Sequence, residues 1–374
     1  MGESENSARG RVTVYSIQGC PHCVQAKATL GRLGVPVCDV NLGKHPELRA
    51  VVKELTGRST VPQIFFNQVH VGGNDDLQKL DPEELQKLVH LVRDEPTDTP
   101  PLPEDEQSEE GTGEADGAAE LSSIMREIVL KLFSDHLSAD GKRVDYKAMK
   151  VSPLFERYCD MAVQLQRVEL ASLTREEKLA FFINTYNALV IHGYLRLGPP
   201  TSMWQRYRFF NYVSYLIGGE VFTLQDIENG VLRGNSKGMA QLLRPFSKTD
   251  PRLQIALPDA EPLIHFALNC GASGCPPIKT YTPQGIDSQL RTAAEAFLEN
   301  DDGCVVDSEK REVRLSQIFK WYKADFGGTE EKLLNWVLEH MGDSPKKSNL
   351  QGILSAGKTK VSYLPYDWST NSTH

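Results

Sequence analysis

The sequence predicts two domains: an α/β domain at the N-terminal end and a mainly helical α+β domain at the C-terminal end. With 374 residues, the chain is longer than a single hydrophobic core usually organises. An acidic, proline-rich stretch divides it near residue 100. Before that stretch the apolar residues alternate in a strand–helix–strand–helix order, and after it they follow mostly helical spacing.

The acidic stretch sets the domain boundaries. Residues 95–120 contain ten acidic residues and neither lysine nor arginine. Because such a composition cannot bury enough apolar surface to offset its ordering entropy, we predict a disordered, extended linker, with an acidic docking segment as the alternative. The predicted segments are a disordered N-terminus (1–10), the α/β domain (11–93), the linker (94–120), the second domain (121–350) and a C-terminal tail (351–374).

Composition limits the classes of partner. The net charge of −9 comes from the linker, and the rest of the chain is close to neutral. We therefore expect no nucleic-acid partner. No apolar run approaches the roughly 18 residues that a membrane span needs, so no membrane association is expected. The polar start MGESENSARG lacks the apolar core of a secretory signal, which predicts a cytoplasmic protein whose seven cysteines are mostly thiols.

The elements of the first domain follow one another closely. In chain order we predict the strand VTVY, a helix in CVQAKATLGRL, the strand VCDVN, a helix in HPELRAVVKELTG, a hairpin of QIFFN and VHVGG, and a helix in DPEELQKLVHLV. Two cysteines, Cys20 and Cys23, fall where the first strand meets the first helix. This position predicts a chemical role for both.

A thiolate at a helix N-terminus is stabilised by unpaired backbone N–H groups and by the helix dipole. Cys20 is therefore the predicted nucleophile with a low pKa. Cys23, one turn further into the helix, is less exposed and can resolve a mixed disulfide formed on Cys20. Pro21 suits the first helical turn. The alternative is half of a zinc site, but no second cysteine pair lies nearby in the sequence, so we predict no metal.

Three separated motifs carry a family resemblance. They are Cys-Pro-His-Cys at 20–23, Thr-Val-Pro at 60–62 and Gly-Gly-Asn-Asp-Asp at 72–76. With these motifs in this order, residues 11–93 resemble the glutaredoxin family. The resemblance implies a thioredoxin-like fold and a glutathione-dependent thiol–disulfide oxidoreductase. Glutathione is then the electron donor, and protein disulfides or glutathionylated proteins are the substrates.

The resemblance also implies a glutathione site. In it, Pro62 follows a cis peptide bond, so that the backbone of Val61 pairs with glutathione beside the nucleophile. Gly73, Asn74 and Asp75 hold the glutamyl carboxylate through backbone N–H groups.

Two positions depart from the family pattern. Ile17 stands where members commonly have a lysine, which removes a cation that attracts glutathione. His22 replaces the usual aromatic residue and makes the motif resemble that of strongly oxidising periplasmic disulfide catalysts. We hypothesise that His22 makes the domain more oxidising, the alternative being a merely exposed side chain.

The second domain centres on a long helix. Thr174 and Glu177 form a capping box ahead of KLAFFINTYNALVIHGYLRL. One buried stripe is predicted, consisting of Leu179, Phe182, Ile183, Tyr186 and Val190. Asn184 and Asn187 share another face, where they either bond backbone groups in the core or contribute to a polar site.

A glycine-rich turn with two cysteines follows a predicted buried strand, LIHFALN. His265 and Cys270 are five residues apart and point to opposite faces of a regular strand, so they do not pair directly. A nucleophilic Cys270 then needs His192, His265 on a distorted strand, or another base. Three interpretations stay open: a structural cysteine, a reactive or hydrolytic Cys270, and a redox or metal pair with Cys275.

These stretches carry a second resemblance. The motifs are EEKLAFFINTYNALVIHGY, VLRGNSKGM, FSKTDPRLQIAL, IHFALNCGASGCPP and FKWYKADFG. Residues 121–350 resemble the domain of unknown function 547, which implies no defined activity. Beyond them we predict an amphipathic helix in EEKLLNWVLEHM, then a strand and a loose tail in KTKVSYLPYDWSTNSTH.

Three functions are compatible with these features. The first is a glutaredoxin-like oxidoreductase acting through Cys20 and Cys23, whose second domain binds substrates that the tether presents at high effective concentration. The second is a glutathione-sensing adaptor without useful turnover. The third is a hydrolase or transferase that depends on Cys270 and is kept reduced by the first domain.

Overall fold

The computed structural model describes residues 10–94 and 118–373, except for Gln18, Lys44, Glu47 and Ala240, and it gives only the backbone for 118–123. The predictions for the N-terminal segment and for most of the acidic linker therefore lie outside the described residues. The described chain divides into two compact units. The first contains the residues up to Asp94 together with Val163–Val168 and Tyr212–Phe222, and the second contains the others.

The N-terminal residues form a four-stranded sheet with the order β2-β1-β3-β4. Strand β1 is parallel to β2 and antiparallel to β3, and β3 is antiparallel to β4. The strands are β1 (Val12–Ser16), β2 (Val37–Asn41), β3 (Gln63–Phe66) and β4 (Val69–Gly72); the helices are α1 (Pro21–Gly31), α2 (Leu48–Thr56), α3 (Asn74–Lys79) and α4 (Pro82–Asp94). This architecture confirms the predicted α/β, thioredoxin-like fold.

Both faces of this sheet are buried. On one face Val14 and Phe66 pack in a cluster that includes Leu30 of α1 and Val92 of α4. On the other face Tyr15 belongs to a second cluster with residues of β2, β3 and α2. Burial of each such side chain contributes about 1.5–3 kcal/mol, so β1 is held firmly between the two layers. The position of the residues that directly follow β1 is therefore set by a firmly held strand.

The C-terminal part of the chain is mainly helical, as predicted. Its helices are α5 (Ala118–His136), α6 (Tyr146–Lys150), α7 (Pro153–Val163), α8 (Arg175–Leu197), α9 (Met203–Tyr212), α10 (Ile286–Glu299), α11 (Gln317–Trp321), α12 (Glu330–His340) and α13 (Pro345–Ala356). Its strands are β5 (Ser214–Ile217), β6 (Glu220–Thr223), β7 (Cys304–Asp307), β8 (Glu312–Leu315) and β9 (Lys360–Tyr363). The backbone of α5 begins within the segment predicted as linker.

Two sheets complete this part of the chain. Strands β5 and β6 form a pair, while β7, β8 and β9 form a three-stranded sheet in that order. In the latter, β7 and β8 are antiparallel and β8 and β9 are parallel. Its apolar face packs in a cluster that includes Phe266, Leu298 of α10 and Val337 of α12. Over the described residues, no helix combines the length and apolar character needed to cross a membrane.

Helix α8 is the centre of the second unit. Its predicted capping box is confirmed, since the Thr174 hydroxyl accepts from the N–H of Glu177 and the Glu177 carboxylate accepts from the N–H of Thr174 at 2.8 Å. The predicted stripe is buried, and so are most other positions along the helix. Asn184 donates to the carbonyl of Tyr281 at 2.8 Å, and Asn187 to that of Ala267 at 2.9 Å. Both amides therefore bond backbone groups, Asn187 in the core and Asn184 at a partly buried position.

The C-terminal segment corrects one expectation. The predicted strand is β9, but the loose tail was wrong. Asn371 is buried, its N–H donates to the carbonyl of Gly271 at 3.0 Å, and its carbonyl accepts from the N–H of Val144 at 2.8 Å. The rings of Tyr366 and Trp368 pack on each other with centroids 4.6 Å apart. These aromatic groups give the segment enough apolar surface to dock within the second unit.

Candidate functional site

Cys20 sits at the start of α1, directly after the buried strand β1. Gly19 precedes it with φ at +77°, a conformation that glycine adopts without steric cost. Cys20 is the N-cap residue, and its Sγ accepts a hydrogen bond from the backbone N–H of Cys23 at 3.2 Å. Pro21 occupies the first helical turn, where its missing N–H costs no bond. The local sequence therefore fixes the sulfur over the open end of the helix.

The two cysteines differ sharply in acidity. The pKa of Cys20 is lowered to about 7, because the Cys23 thiol donates to its sulfur and outweighs the cost of burial. The backbone N–H groups of Cys23 and His22 and the charge of Lys27 lower this pKa further. The pKa of Cys23 is raised by its hydrogen bond to Cys20 and by burial. Near pH 7 a large fraction of Cys20 is therefore present as the thiolate, whereas Cys23 keeps its proton.

Lys27 supplies a positive charge near Cys20 and so partly replaces the lysine that family members commonly have at the position of Ile17. Its ammonium group forms an ion pair with Asp39 on β2, with Nζ 2.5 Å from Oδ2, and its charge favours the thiolate form of Cys20. Ile17 itself packs against the apolar cluster around Tyr15. His22 is exposed. A lysine two turns into α1 was not singled out in the sequence, because only the fold shows that its charge reaches the sulfur.

These contacts predict the pH dependence of Cys20 alkylation. Its rate should rise with pH to a midpoint near 7, measured by iodoacetamide labelling of the Cys20 peptide and mass spectrometry. Cys23→Ala removes the thiol donor, so the midpoint should move to higher pH. Cys38→Ala, which alters a cysteine on β2, should leave it in place. An unchanged midpoint in Cys23→Ala would contradict the hydrogen-bond explanation.

The loop before β3 lies beside the nucleophile. The Val61–Pro62 peptide bond is cis, as the resemblance implied. The carbonyl oxygen of Val61 is 3.9 Å from Sγ of Cys20. Gly73 adjoins the same loop, since a Cβ at that position would lie 3.5 Å from the carbonyl oxygen of Pro62. The fold thus gathers the cysteine motif, the cis-proline loop and the start of α3.

At the start of α3, the backbone, and not the side chain of the first residue, is positioned to contact a ligand. Asn74 is buried, and its amide donates to Gln25 of α1 at 3.0 Å, while Asp75 is exposed. The Asp76 carboxylate accepts from the N–H of Gly73 at 2.8 Å and from Arg58 at 2.5 Å, and these bonds hold its pKa below the usual value. Arg58 and Asp76 were not assigned this role from sequence, because 18 residues separate them.

The apolar run LIHFALN does not form the predicted strand. Pro262–Phe266 is a 3₁₀ helix capped by the Glu261 carboxylate, which accepts from the N–H of Leu263. The strand prediction failed because a short apolar run is also compatible with a buried helical turn. The argument from opposite strand faces therefore does not apply to His265 and Cys270.

Each of the two histidines considered as a base for Cys270 has another partner in the second unit. Nε2 of His265 lies 2.7 Å from a carboxylate oxygen of Asp325. His192 is buried with its Nε2 3.6 Å from Sγ of Cys159, and burial lowers the pKa of its imidazole to about 3. Each histidine therefore bonds a different partner in the core.

Asp325 anchors a buried charge cluster. Arg233 donates two hydrogen bonds to its carboxylate, at 2.6 and 2.8 Å, and also one to Asn229 at 2.6 Å. Burial alone would raise the pKa of Asp325, but Arg233 and His265 outweigh it and lower the pKa to about 2. The ring of Tyr322 stacks on His265 with centroids 3.9 Å apart. The cluster joins three distant parts of the second unit.

The two cysteines of the glycine-rich turn do meet. Sγ of Cys270 and Sγ of Cys275 are 3.0 Å apart, and the Tyr366 hydroxyl lies 3.2 Å from Sγ of Cys275. Across the described ranges, no group of three or more histidine, cysteine, aspartate or glutamate side chains is arranged to hold a metal ion. Tyr366 was missed because it lies 91 residues beyond Cys275.

Comparison with known proteins covers both parts of the chain. Residues 12–71 match the family model described as Glutaredoxin, and residues 170–298 match the model described as Protein of unknown function, DUF547. A glutaredoxin of Pseudomonas aeruginosa is 43% identical over 81 residues, which are 22% of this chain and 94% of that protein. Glutaredoxin 3 of Escherichia coli K12 is 40% identical over 70 residues, which are 19% of this chain and 84% of that protein. A solution structure of glutaredoxin from Brucella melitensis covers 23% of this chain and 91% of its own, at 44% identity and a TM-score of 0.21.

Proposed function

Because this chain belongs to the glutaredoxin family and joins that module to a C-terminal DUF547 domain, we propose that it is a glutathione-dependent thiol–disulfide oxidoreductase acting through Cys20 and Cys23. One observation carries the proposal. The Cys20 sulfur caps α1 with a pKa of about 7, while the thiol of Cys23 donates to it. This combination gives a nucleophile that is ionised to a large extent at neutral pH next to a protonated resolving thiol.

The first step is attack on a glutathionylated thiol. The Cys20 thiolate forms a bond to the glutathione sulfur, the original disulfide bond breaks, and the substrate sulfur leaves as a thiolate that takes up a proton from water. A second glutathione thiolate then attacks the glutathione sulfur on Cys20. This attack releases glutathione disulfide and restores the Cys20 thiolate. In balance, one free glutathione is consumed: its sulfur is oxidised, the substrate sulfur is reduced to the thiol, and the substrate's glutathionyl group leaves in glutathione disulfide.

Protein disulfides follow a different second step. After Cys20 forms a mixed disulfide with the substrate, Cys23 loses its proton and attacks Sγ of Cys20, which releases the reduced substrate. The backbone N–H of Cys23 lies 3.2 Å from that sulfur, so the resolving residue is already adjacent. Glutathione then reduces the Cys20–Cys23 disulfide.

The surroundings of Cys20 support glutathione as the reductant. The backbone of Val61 lies beside the sulfur, and the proposed contact with glutathione is a strand-like pairing at this residue. The start of α3 adjoins the same loop, where the N–H groups of Asn74 and Asp75 are proposed to bind the glutamyl carboxylate. Bound this way, the glutathione sulfur lies next to Cys20. Pro62 and Gly73, which lie close together, border this proposed glutathione-binding groove.

The test is glutathione-dependent reduction of a peptide–glutathione mixed disulfide by the full-length protein. We expect steady turnover, and faster turnover than with the same peptide carrying a cysteine disulfide, because only the glutathionyl group fills the groove. Cys38→Ser, a cysteine variant on β2 in the same sheet, should keep the wild-type rate. Absence of turnover in the wild type would remove the enzyme assignment and leave a glutathione-binding adaptor.

A further inference from the structure

The second unit contains another pair of cysteines, Cys270 and Cys275, whose sulfur atoms are close enough to form a bond with little movement. The 3.0 Å between Sγ of Cys270 and Sγ of Cys275 is shorter than an ordinary contact between two sulfur atoms, so closure to a disulfide needs a movement of only about 1 Å. The residues between them include Gly271 and Gly274, and Gly271 has φ at +85°. A turn with glycine on both sides of its centre can make this small adjustment.

Hydrogen-bond donors converge on Cys275. The N–H of Cys270 lies 3.2 Å from its Sγ, and the Cys270 thiol and the Tyr366 hydroxyl are also within hydrogen-bonding distance. Burial raises the pKa of Cys275, but these donors outweigh burial and bring the pKa to about 7. The pKa of Cys270 is raised by its hydrogen bond to Cys275 and by burial. Cys275 is therefore the thiolate of the pair.

Both sulfur-bearing residues line a cavity of about 350 Å³ within the second unit. This volume falls in the range of small-molecule sites. Aromatic residues form much of its wall, including Phe210, Trp321 and Trp368. A small molecule that enters the cavity therefore meets both cysteines.

The cavity also contains an arginine with spare hydrogen-bonding capacity. Arg206 is 9% exposed, and its Nη1 has no hydrogen-bond partner among the described residues. Its Nη2 donates to the carbonyl of Trp368 at 3.1 Å, and the neighbouring Tyr194 hydroxyl donates to the carbonyl of Cys270 at 2.9 Å. Because a buried guanidinium N–H without an acceptor is costly, the cavity favours a ligand with a carboxylate.

The acidic group on the cavity wall is already engaged. Glu228 accepts from the Tyr186 hydroxyl at 3.2 Å and from the Tyr322 hydroxyl at 2.5 Å. These two bonds stabilise its carboxylate within the protein. Among the described residues that line the cavity, Arg206 thus provides a charged group with a donor left for a ligand.

We propose that Cys270 and Cys275 form a second dithiol–disulfide centre, which reacts in this cavity with low-molecular-weight disulfides that carry a carboxylate. The centre is separate from the function proposed for Cys20.

The Cys275 thiolate attacks one sulfur of the small disulfide, a bond from Sγ of Cys275 to that sulfur forms, and the other half leaves as a thiolate. Cys270 gives its proton to the departing thiolate and attacks Sγ of Cys275. A Cys270–Cys275 bond forms, the second half leaves and takes a proton from water, and two electrons pass from the dithiol to the small disulfide.

The direct test uses the full-length Cys20→Ser/Cys23→Ser protein, so that the first domain cannot contribute. It is incubated with dithiodipropionate, denatured, blocked with N-ethylmaleimide, digested with trypsin and analysed by mass spectrometry. Both cysteines lie in the peptide 253–279. We expect neither cysteine of this peptide to carry N-ethylmaleimide. The peptide should also be lighter than its reduced, unlabelled form by two hydrogens, as a disulfide requires. The buried Cys304, whose pKa burial raises to about 11, should keep its label. Full labelling of Cys270 and Cys275 would overturn the proposal, whatever the activity of Cys20.

Single variants in the same background assign the two roles. With Cys270→Ser, the mixed disulfide should accumulate on Cys275, whereas with Cys275→Ser the label on Cys270 should be retained. The reverse pattern would overturn the assignment of Cys275 as the thiolate. Tyr366→Phe removes one donor and should slow the oxidation severalfold, without preventing disulfide formation at long times.

Arg206→Met tests the ligand class. Loss of one charge-assisted hydrogen bond should slow oxidation by dithiodipropionate about tenfold. Oxidation by the neutral hydroxyethyl disulfide should keep its rate, because that probe has no carboxylate to bind. Equal slowing with both probes would show that Arg206 only supports the structure, which would overturn the carboxylate preference.

Discussion

Cys20→Ser is expected to reduce turnover of a peptide–glutathione mixed disulfide to the background rate, while Cys23→Ser keeps a rate of the same order as the wild type. A serine hydroxyl is not ionised at neutral pH, whereas Cys20 has a pKa of about 7. Resolution by a second glutathione does not involve Cys23. The measurement is the steady-state rate of glutathione disulfide formation by the full-length proteins.

With a protein disulfide as the substrate, Cys23→Ser should lose activity instead of keeping it. Reduction of a protein disulfide needs an intramolecular resolving thiol, so Cys23→Ser should trap the substrate on Cys20, visible as a mixed-disulfide band on a non-reducing gel. Circular dichroism of each variant is the control for folding. Equal activity of Cys20→Ser and the wild type on both substrates would show that Cys20 is not the nucleophile.

Asp325→Asn is expected to destabilise the second unit by about 3–5 kcal/mol, because it leaves the buried Arg233 without a counter-ion. The side chains of Arg233 and Asp325 are 5% and 4% exposed, so water screens this ion pair little. The loss is measured as the shift of the urea unfolding midpoint. The matched control is Asp287→Asn, which alters the exposed pair with Arg175 and should change stability by less than about 1 kcal/mol.

The same carboxylate gives a signed pH dependence. The pKa of Asp325 is about 2 in the folded protein, below the value near 4 of an unfolded aspartate. Its contribution to stability is therefore complete above pH 4 and is lost as the pH falls through about 2. Asp325→Asn should lack this part of the acid destabilisation. A variant as stable as the wild type would contradict the role given to the cluster.

The first domain was largely predictable from its sequence because its information is local. Cys20, Pro21 and Cys23 lie within one turn of a single strand–helix junction, and strand-like and helix-like segments follow one another along this part of the sequence. The capping box of α8 was predictable for the same reason, since Thr174 and Glu177 lie within one turn. Short-range chemistry decides such features before tertiary packing does.

The second unit was less predictable because its site is assembled from distant segments. Arg233 and Asp325 are 92 residues apart, and the strand predicted around His265 is a 3₁₀ helix. A short apolar run is compatible with both the strand period and the helical period, so tertiary packing decides which structure forms. The two cysteines were noticed, but their acidity depends on Tyr366, which the sequence does not place.

The docking of the C-terminal segment also fixes an order of assembly during synthesis. The N–H groups of Ser273 and Gly274 donate to the carbonyls of Ser369 and Asp367, and Tyr366 supplies the hydroxyl beside Cys275. A nascent chain that has reached only α10 therefore contains both cysteines but none of these partners. Contacts over such separations form late, since loop closure must precede them. The dithiol gains its finished environment only after the ribosome has translated about a quarter of the protein beyond it.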